Sequence, residues 1–318
     1  MMTRREFLKG CAAVGASALM LSLPSRVDRL YAQGKSPAPI QPAADPSARK
    51  SPDLVAVRGG SQSSRLDRAM QEFGGIGTFV RKGQTVVIKP NIGWSQEPQV
   101  AANTNPELVK RLVEHCLEAG AAKVWVFDHS CDNGPRSYRD SKIESYAKSA
   151  GAVVVPGDNS SHYQMVSIPG AVALKRAKFH ELALEADVFI NVPVLKDHSG
   201  AGMTCAMKNL MGAVWDRGEF HRLGLDQCIA DVGLWRKPIL NIVDAGKVML
   251  SGGPRGYASS RYAEPQLLIA SRDIVAVDTV SAMTLGRTPG EFGYIAMAER
   301  ANLGTTKIAE LDIRRLSI

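Results

Sequence analysis

The sequence predicts an α/β fold in which a mostly parallel sheet carries helices on both faces. Its strands read as continuous apolar runs rather than alternating ones, and helical stretches separate them along the chain. Continuous apolar strands are buried on both faces, as in parallel sheets covered by helices. The composition, 45% hydrophobic and 22% charged, is that of an ordinary globular protein. No GxGxxG follows the first strand and no GxxxxGK[ST] occurs, which argues against a dinucleotide fingerprint or an NTPase phosphate loop.

Residues 1–32 predict a twin-arginine signal peptide. Residues 3–10 (TRREFLKG) contain paired arginines, a phenylalanine two positions later and a lysine two after that. The apolar run 11–23 ends at Pro24, short of the roughly 20 residues that a membrane span needs, and a loose cleavage site ends at Ala32. We therefore expect the twin-arginine translocase as a partner, a periplasmic or otherwise exported location, and no transmembrane span in the mature form. The alternative is a basic N-terminus before a signal anchor.

Residues 33–53 predict a disordered linker, and residues 54–318 predict the α/β domain. The linker is rich in Pro, Ala, Ser, Lys and Gln, which bury little apolar area. The formal net charge is +8, and the first 32 residues hold five basic and two acidic side chains, leaving the rest at about +5. This charge is spread out, without a basic stripe beside aromatic residues, so nucleic acid is not an expected ligand. An anionic small molecule is an expected ligand.

The first half of the domain alternates strands with helices. Asn105 and Pro106 form a helix start, and Gly120 closes that helix after apolar residues on one face. The run TVVIKP at 85–90 predicts a fully buried strand. The predicted strands are 54–57, 85–90, 123–128 and 152–155, and the predicted helices are 63–73, 105–120 and 141–150.

The second half begins with a less regular stretch and then resumes the alternation. No internal repeat is evident. A glycine-rich loop at 199–204 separates the strand 187–192 from the next helix. The predicted strands are 164–168, 187–192, 239–244 and 266–270, and the predicted helices are 179–185, 207–214, 225–234 and 273–285.

Ionisable side chains follow four of these strands at their carboxyl ends, where open parallel sheets bind ligands. The candidate catalytic residues, for acid–base work, are Asp128, His129, Lys196 and His198. The other candidates at this edge, for ligand binding, are Lys89, Asn91 and Asp244. His129 and His198 are also candidate metal ligands. For each residue alone, a helix cap or a polar surface position is an alternative.

The glycine-rich loop and the helix after it predict an anion site. Glycine permits close backbone approach, and a helix N-terminus offers free N–H groups to a carboxylate or phosphate. Thr204, Lys208 and Asn209 are the binding candidates there, and His221 belongs to a further polar face. Lys196 and Lys208 are either anion clamps or, if buried, bases with a lowered pKa. A flexible loop before an ordinary amphipathic helix is the alternative.

The cysteines do not predict a ferredoxin-type cluster. Beyond Cys11, the chain has Cys116, Cys131, Cys205 and Cys228, and no two are spaced as C-x-x-C. Such a cluster needs several thiolates at close spacing. We expect Cys116 and Cys228 to be buried as small hydrophobic residues.

The motifs together resemble those of the domain-of-unknown-function 362 family over roughly residues 54–286. The K-x-H followed by a KNLxG block is the most specific part. The resemblance implies little chemistry: many relatives look like iron–sulfur proteins because they append a ferredoxin segment, which this chain lacks. The matching motifs are VIKPN at 87–91, TNP at 104–106, NVPVLKDH at 191–198, Thr204, MKNLMG at 207–212, His221, NIVD at 241–244 and DIVAVD at 273–278.

Three functions remain open from the sequence. The first is an exported protein, enzymatic or not, that binds an anionic small molecule or a metal ion at the sheet edge. The second is a non-catalytic accessory protein that delivers a metal or cluster to an envelope redox complex, with a redox partner protein. The third is a nickel-pincer-like isomerase, because the strand, the Thr-x-Pro segment and the helix ending in Ala-Gly are similar to the N-terminal half of nickel-pincer lactate racemases. The cofactor stays open among these.

Overall fold

A computed structural model describes residues 51–318. The predicted signal at 1–32 and the linker as far as residue 50 lie outside the described residues. The fold described below belongs to residues 51–318.

The first half of the described chain contains six strands and five α-helices. The helix predicted at 141–150 is preceded by a separate short helix, α3. In chain order the elements are β1 (Leu54–Arg58), α1 (Gln62–Glu72), β2 (Thr85–Pro90), α2 (Pro106–Glu118), β3 (Lys123–Val126), α3 (Gly134–Asp140), α4 (Ile143–Ser149), β4 (Val153–Val154), β5 (Tyr163–Ser167), β6 (Arg176–His180) and α5 (Glu181–Glu185).

The second half contains seven further strands and five further α-helices among the described residues. In chain order they are β7 (Val188–Val192), β8 (Val194–His198), β9 (Gly202–Thr204), α6 (Ala206–Asn209), α7 (Gly218–Leu223), α8 (Leu225–Trp235), β10 (Leu240–Met249), β11 (Tyr262–Ala263), β12 (Leu267–Ser271), α9 (Ile274–Thr284), α10 (Gly293–Arg300) and β13 (Ile313–Ser317).

The strands form one large, mostly parallel sheet, which confirms the predicted α/β class. Its order is β13-β1-β12-β10-β7-β2-β3-β4. The neighbours from β10 to β4 are parallel, and β12 runs antiparallel to both of its neighbours. The segment β8 pairs parallel with β10 and forms a hairpin with β9, while β5 and β6 form a separate hairpin.

The sheet is buried on both faces, because the side chains of successive strand residues pack into two different hydrophobic cores. Val87 belongs to one hydrophobic cluster, whereas Val86 and Ile88 belong to the other. Leu66 of α1 and Leu112 of α2 contribute to the Val86 side. The helices α8 and α9 contribute to the Val87 side. Continuous apolar strands therefore reflect two apolar surroundings, as the sequence pattern predicted.

Two predicted elements near the site differ from the structure. Residue 179 lies in a strand rather than a helix, because Ala177 and Phe179 are buried while Arg176 and Lys178 are exposed, a two-residue period. The loop at 199–204 is the turn and second strand of the β8–β9 hairpin. Among residues 51–318, no helix has the length and apolarity to cross a membrane.

Candidate functional site

Three neighbouring parallel strands place polar side chains side by side at one edge of the sheet. Lys89 on β2 lies opposite Asn191 on β7, which lies opposite Asn241 on β10. All three side chains are fully buried. Buried polar groups require hydrogen-bond partners, so these residues should be mutually satisfied.

Four asparagine amides form a directed chain of hydrogen bonds from β10 to the edge of the sheet. The Nδ2 of Asn191 donates to Asn241 Oδ1 at 3.0 Å, and the Nδ2 of Asn209 donates to Asn191 Oδ1 at 2.9 Å. The Nδ2 of Asn91 then donates to Asn209 Oδ1 at 3.0 Å. The chain ends where Lys196 Nζ donates to Asn91 Oδ1 at 3.2 Å. This network fixes the position of the Lys196 amine.

A buried ion pair underlies the same edge. Lys89 Nζ lies 2.7 Å from Asp128 Oδ1. The other Asp128 oxygen accepts the backbone N–H of Ile92 at 2.6 Å, and Oδ1 also accepts the N–H of His129. A Cβ at Gly212 would lie 1.9 Å from Asp128 Oδ1, so only glycine allows this close approach. Asp128 thus neutralises the charge of Lys89 and fixes the backbone of the loop after β3 by a hydrogen bond.

A cavity of about 520 Å³ opens beside this ion pair. Most of the residues predicted for the site line it together. The predicted residues in its lining are Asn91, Asp128, His129, Lys196, His198, Thr204, Lys208, Asn209 and His221.

Cations dominate the lining of the cavity. Lys196, Lys208 and Arg217 have no carboxylate oxygen within 4.0 Å among the described residues, and the one lining carboxylate, Asp128, is paired with Lys89. Burial lowers the pKa of Lys196 to about 7 and that of Lys208 to about 8. Lys196 donates to Asn91 Oδ1 and to the carbonyl oxygen of Ala102. The cavity therefore carries uncompensated positive charge.

Arg217 and His129 form one wall of the cavity. The guanidinium donates to the carbonyl oxygens of His129 and Ser130 at 2.7 and 2.6 Å, and to Cys131 Sγ at 3.2 Å. The His129 ring stacks on Trp215 with 4.9 Å between ring centroids, and its Nδ1 lies 3.1 Å from the Val214 carbonyl oxygen. Since a carbonyl only accepts, Nδ1 carries the proton. Burial, with help from Arg217, lowers the His129 pKa, which favours the neutral ring.

His198 is neutral and has one ring nitrogen bonded within the protein, so the geometry lends no support to its predicted role as a metal ligand. Its Nδ1 accepts the backbone N–H groups of Gly200 at 3.0 Å and Ala201 at 3.2 Å, so the ring proton resides on Nε2. Burial lowers its pKa to about 3, with repulsion from Lys208 adding to the shift. A metal would have to displace those bonds or that proton. Across residues 51–318, no group of three or more His, Cys, Asp or Glu side chains is arranged to hold a metal ion.

The predicted anion site at the start of the helix after the glycine-rich loop is wrong in its geometry. The helix α6 spans only four residues, and its first N–H groups already have a carboxylate. Asp278 of α9 accepts the N–H of Ala206 at 2.7 Å and that of Met207 at 3.1 Å. Burial raises the Asp278 pKa to about 7. The helix start is thus occupied by the protein's own acid, and Lys208 faces the cavity instead.

Asp244 does not line the cavity, because its strand continues past it to Met249. Its oxygens accept Gln62 Nε2 and the N–H of Asn105 at 2.8 Å each, and the N–H of Gly246. Asp244 therefore caps the start of α2 and joins it to α1. Lys89 also lies outside the lining, behind Asp128.

Sequence reasoning missed several residues of the site. Arg217, Trp94 and Cys131 line the cavity from loops that carry no recognisable motif. Asn191 and Asn241 had a usable signal, a polar amide inside a buried apolar strand. Within the described chain the cysteines are free, and Cys116 and Cys228 are buried as predicted.

Comparisons with known proteins identify a family and one curated relative. The model of a family described as "Domain of unknown function (DUF362)" matches residues 86–283, a shorter span than the 54–286 predicted. The thylakoid-associated protein sll1697 of Synechocystis sp. is 29% identical over 268 residues, covering 78% of this chain and 77% of that protein.

Two solved structures have a related but distant shape. The lactate racemase apoprotein from Thermoanaerobacterium thermosaccharolyticum has a TM-score of 0.41 and 15% identity, over 67% of this chain and 54% of that one. A protein from Thermotoga maritima has a TM-score of 0.38 and 8% identity, over 75% and 59%. The chain thus spans just over half the length of these structures.

Proposed function

Because the chain belongs to the DUF362 family, and the matched segment contains the three cations of the cavity, we propose that it binds an anionic small molecule there. The observation that carries this proposal is the charge arrangement. Lys208 and Arg217 line a cavity whose single lining carboxylate already neutralises Lys89, and Lys196 adds a partial positive charge because its pKa is about 7. Unpaired charges in a partly desolvated cavity attract a counter-ion more strongly than they would in bulk water.

Hydrogen-bond donors of the cavity add selectivity for oxygen-rich anions. His198 supplies its neutral Nε2–H. The Arg217 guanidinium supplies the N–H groups that are not already donated to His129, Ser130 and Cys131, and such donors pair with carboxylate and phosphate oxygens. Lys208 supplies an ammonium without a hydrogen-bonding partner of its own among the described residues. We assign Lys208 and Arg217 to charge recognition and His198 to orientation.

Anion-dependent thermal stabilisation tests this proposal. The full chain is titrated with phosphate, malonate and lactate at low salt, and affinity is then measured by calorimetry. Lys208→Met should weaken the tightest anion tenfold or more, because a hydrogen bond to a charged group contributes about 1.5–3 kcal/mol. Lys148→Met, a change at an exposed lysine on α4, is the matched control. If none of these anions stabilises the wild type, or if both variants bind alike, the proposal fails.

Turnover distinguishes the two functional classes that share this cavity. A non-catalytic accessory protein would bind the anion and release it unchanged, whereas an enzyme would convert it. Incubation of the tightest-binding anion with the protein, followed by mass spectrometry of the small molecules, separates these outcomes.

We also propose that the chain is exported by the twin-arginine translocase, on the strength of residues 3–10. Replacing Arg4 and Arg5 together by lysine should retain the protein in the cytoplasm, as measured by cell fractionation. Replacing Lys9 by arginine is the matched control and should leave export intact. Export of the double variant at the wild-type level would refute the signal assignment.

A further inference from the structure

The amine of Lys196 is placed as a nucleophile rather than as a clamp. Lys196 lies on β8, has 1% of its surface exposed and lines the cavity. Its two hydrogen-bond partners, Asn91 Oδ1 and the Ala102 carbonyl oxygen, are uncharged acceptors. A structural or anion-binding ammonium buried this deeply would be expected to have a carboxylate partner, and the described residues supply none within 4.0 Å.

The two acceptors match the uncharged form of the amine. A neutral lysine amine has two N–H donors and one lone pair. Both donors are used by Asn91 and Ala102, so the lone pair is directed away from these two groups. Because Asn91 is held by Asn209 in the amide chain, the amine is held in one position. Such preorganisation removes the entropic cost of orienting the nucleophile during a reaction.

The electrostatic surroundings agree with this form. Burial is the main cause of the lowered pKa of Lys196, about 7, and the charge of Lys208 acts in the same direction. At neutral pH a substantial fraction of the amine is therefore free of its proton. Lys208, with a pKa of about 8, remains largely protonated there and is available as a proton donor.

We propose that Lys196 forms a reversible imine with the carbonyl group of an anionic aldehyde or ketone bound in the cavity. This inference rests on the proposed anion binding, which supplies the recognition of the charged end by Lys208 and Arg217. The Lys196 lone pair attacks the carbonyl carbon: the C–N bond forms, the carbonyl π pair moves to the oxygen, and a proton passes from nitrogen to that oxygen, giving a neutral carbinolamine. Lys208 then protonates the hydroxyl, the C–O bond breaks with loss of water, and the nitrogen lone pair forms the iminium, which returns a proton to Lys208 to give the imine.

Two classes of anionic carbonyl compound can form this imine, a 2-oxo carboxylate and a phosphorylated aldehyde. The Lys208 ammonium, with the Arg217 N–H groups that are not already donated to His129, Ser130 and Cys131, recognises either anion. Pyruvate and glycolaldehyde phosphate are therefore the two probes. Whichever reacts faster at equal concentration identifies the preferred anion.

Reductive trapping tests the imine. The full chain is incubated with each probe and cyanoborohydride, and the modified lysine is located by peptide mass spectrometry. We expect a secondary-amine adduct concentrated on Lys196, with a trapping rate that rises as the pH passes through about 7. Lys196→Met should lose this adduct, whereas Lys148→Met should keep it.

Protection provides a readout that does not depend on how the variant folds. In the wild type, an anion without a carbonyl group, such as malonate or phosphate, should slow trapping at Lys196 and leave surface lysines unaffected. Adducts spread evenly over surface lysines, or no adduct on Lys196 at pH 8, would overturn the imine. If malonate or phosphate still stabilises the protein in that case, anion binding survives. If it does not, both proposals fail.

Discussion

Replacing Gly212 by alanine should destabilise the protein by about 3 kcal/mol or more. The new Cβ would lie 1.9 Å from Asp128 Oδ1 and 2.7 Å from Lys89 Nζ. Ordinary contacts between heavy atoms are about 3.5 Å or longer, so the carboxylate must move by about 1.5 Å. Both partners of the ion pair are buried, which leaves little room for that movement.

The size of the effect depends on whether the ion pair survives. Overpacking alone costs about 1–3 kcal/mol, whereas disrupting a buried ion pair costs about 3–5 kcal/mol. Lys89 Nζ and Asp128 Oδ1 are 2.7 Å apart, and moving the carboxylate that far would break their contact. We therefore expect the loss in the free energy of unfolding to lie in the higher of these two ranges. Lys89 would be left as an unpaired buried charge.

Urea denaturation followed by tryptophan fluorescence measures this loss, with the slope checked between variants. Gly77→Ala is the matched control, because a Cβ there meets nothing within 4 Å and its free energy of unfolding should change by at most about 1 kcal/mol. In a Lys89→Met background the cost of Gly212→Ala should shrink, since neighbouring sites are non-additive. A Gly212→Ala protein as stable as the Gly77→Ala control would refute the reasoning.

Three further predictions concern the surroundings of the cavity. Asp278 binds its proton more tightly in the folded state than in the unfolded chain, so the free energy of unfolding should fall as the pH rises from about 4 to about 7. In urea titrations, Asp278→Asn should reduce this pH dependence by at most about 1.4 kcal/mol per pH unit. Asn209→Leu leaves Asn91 Nδ2 and Asn191 Oδ1 without the partners that Asn209 supplies and should cost about 1–3 kcal/mol for each of these two atoms, measured by thermal unfolding; a loss below about 0.5 kcal/mol would contradict the amide chain. Lys208→Met should also reduce the salt dependence of anion affinity in calorimetry, and an unchanged salt dependence would remove Lys208 from charge recognition.

The sheet and the cavity edge were predictable because burial on both faces leaves a strong signal. A strand such as 85–90 can be apolar throughout only if helices cover both sides, and its carboxyl end then has a known place in the fold. The residues after β2, β3 and β7 therefore meet as expected. Asp244 does not, since the end of β10 is set by its pairing with β8 and β11, which the local sequence does not encode.

The remaining site residues depend on long-range pairing and on protonation. Arg217 reaches the cavity from a loop before a short helix, and its partners are backbone carbonyls of residues 129 and 130. The tautomer of His198 follows from the β8–β9 turn, which was predicted as a loop. The helix start at Ala206 already has the Asp278 carboxylate from a helix distant in sequence. None of these contacts has a periodicity or spacing that marks it.

The asparagine chain has a polarity, and backbone carbonyl groups hold it. An amide oxygen only accepts and an amide nitrogen only donates. The Nδ2 groups of Asn241, Asn191 and Asn209 also donate to the carbonyl oxygens of Ser271, Ala206 and Lys89, so each of these amides faces one way. Asn91, the last amide, is oriented by Asn209 and Lys196. If Lys196 became an imine, its nitrogen would keep at most one N–H and would release Asn91 or Ala102. The change would stay at the cavity end of the chain: the side-chain amide signals of Asn91 should shift, whereas those of Asn241, held by the Ser271 carbonyl oxygen, should not.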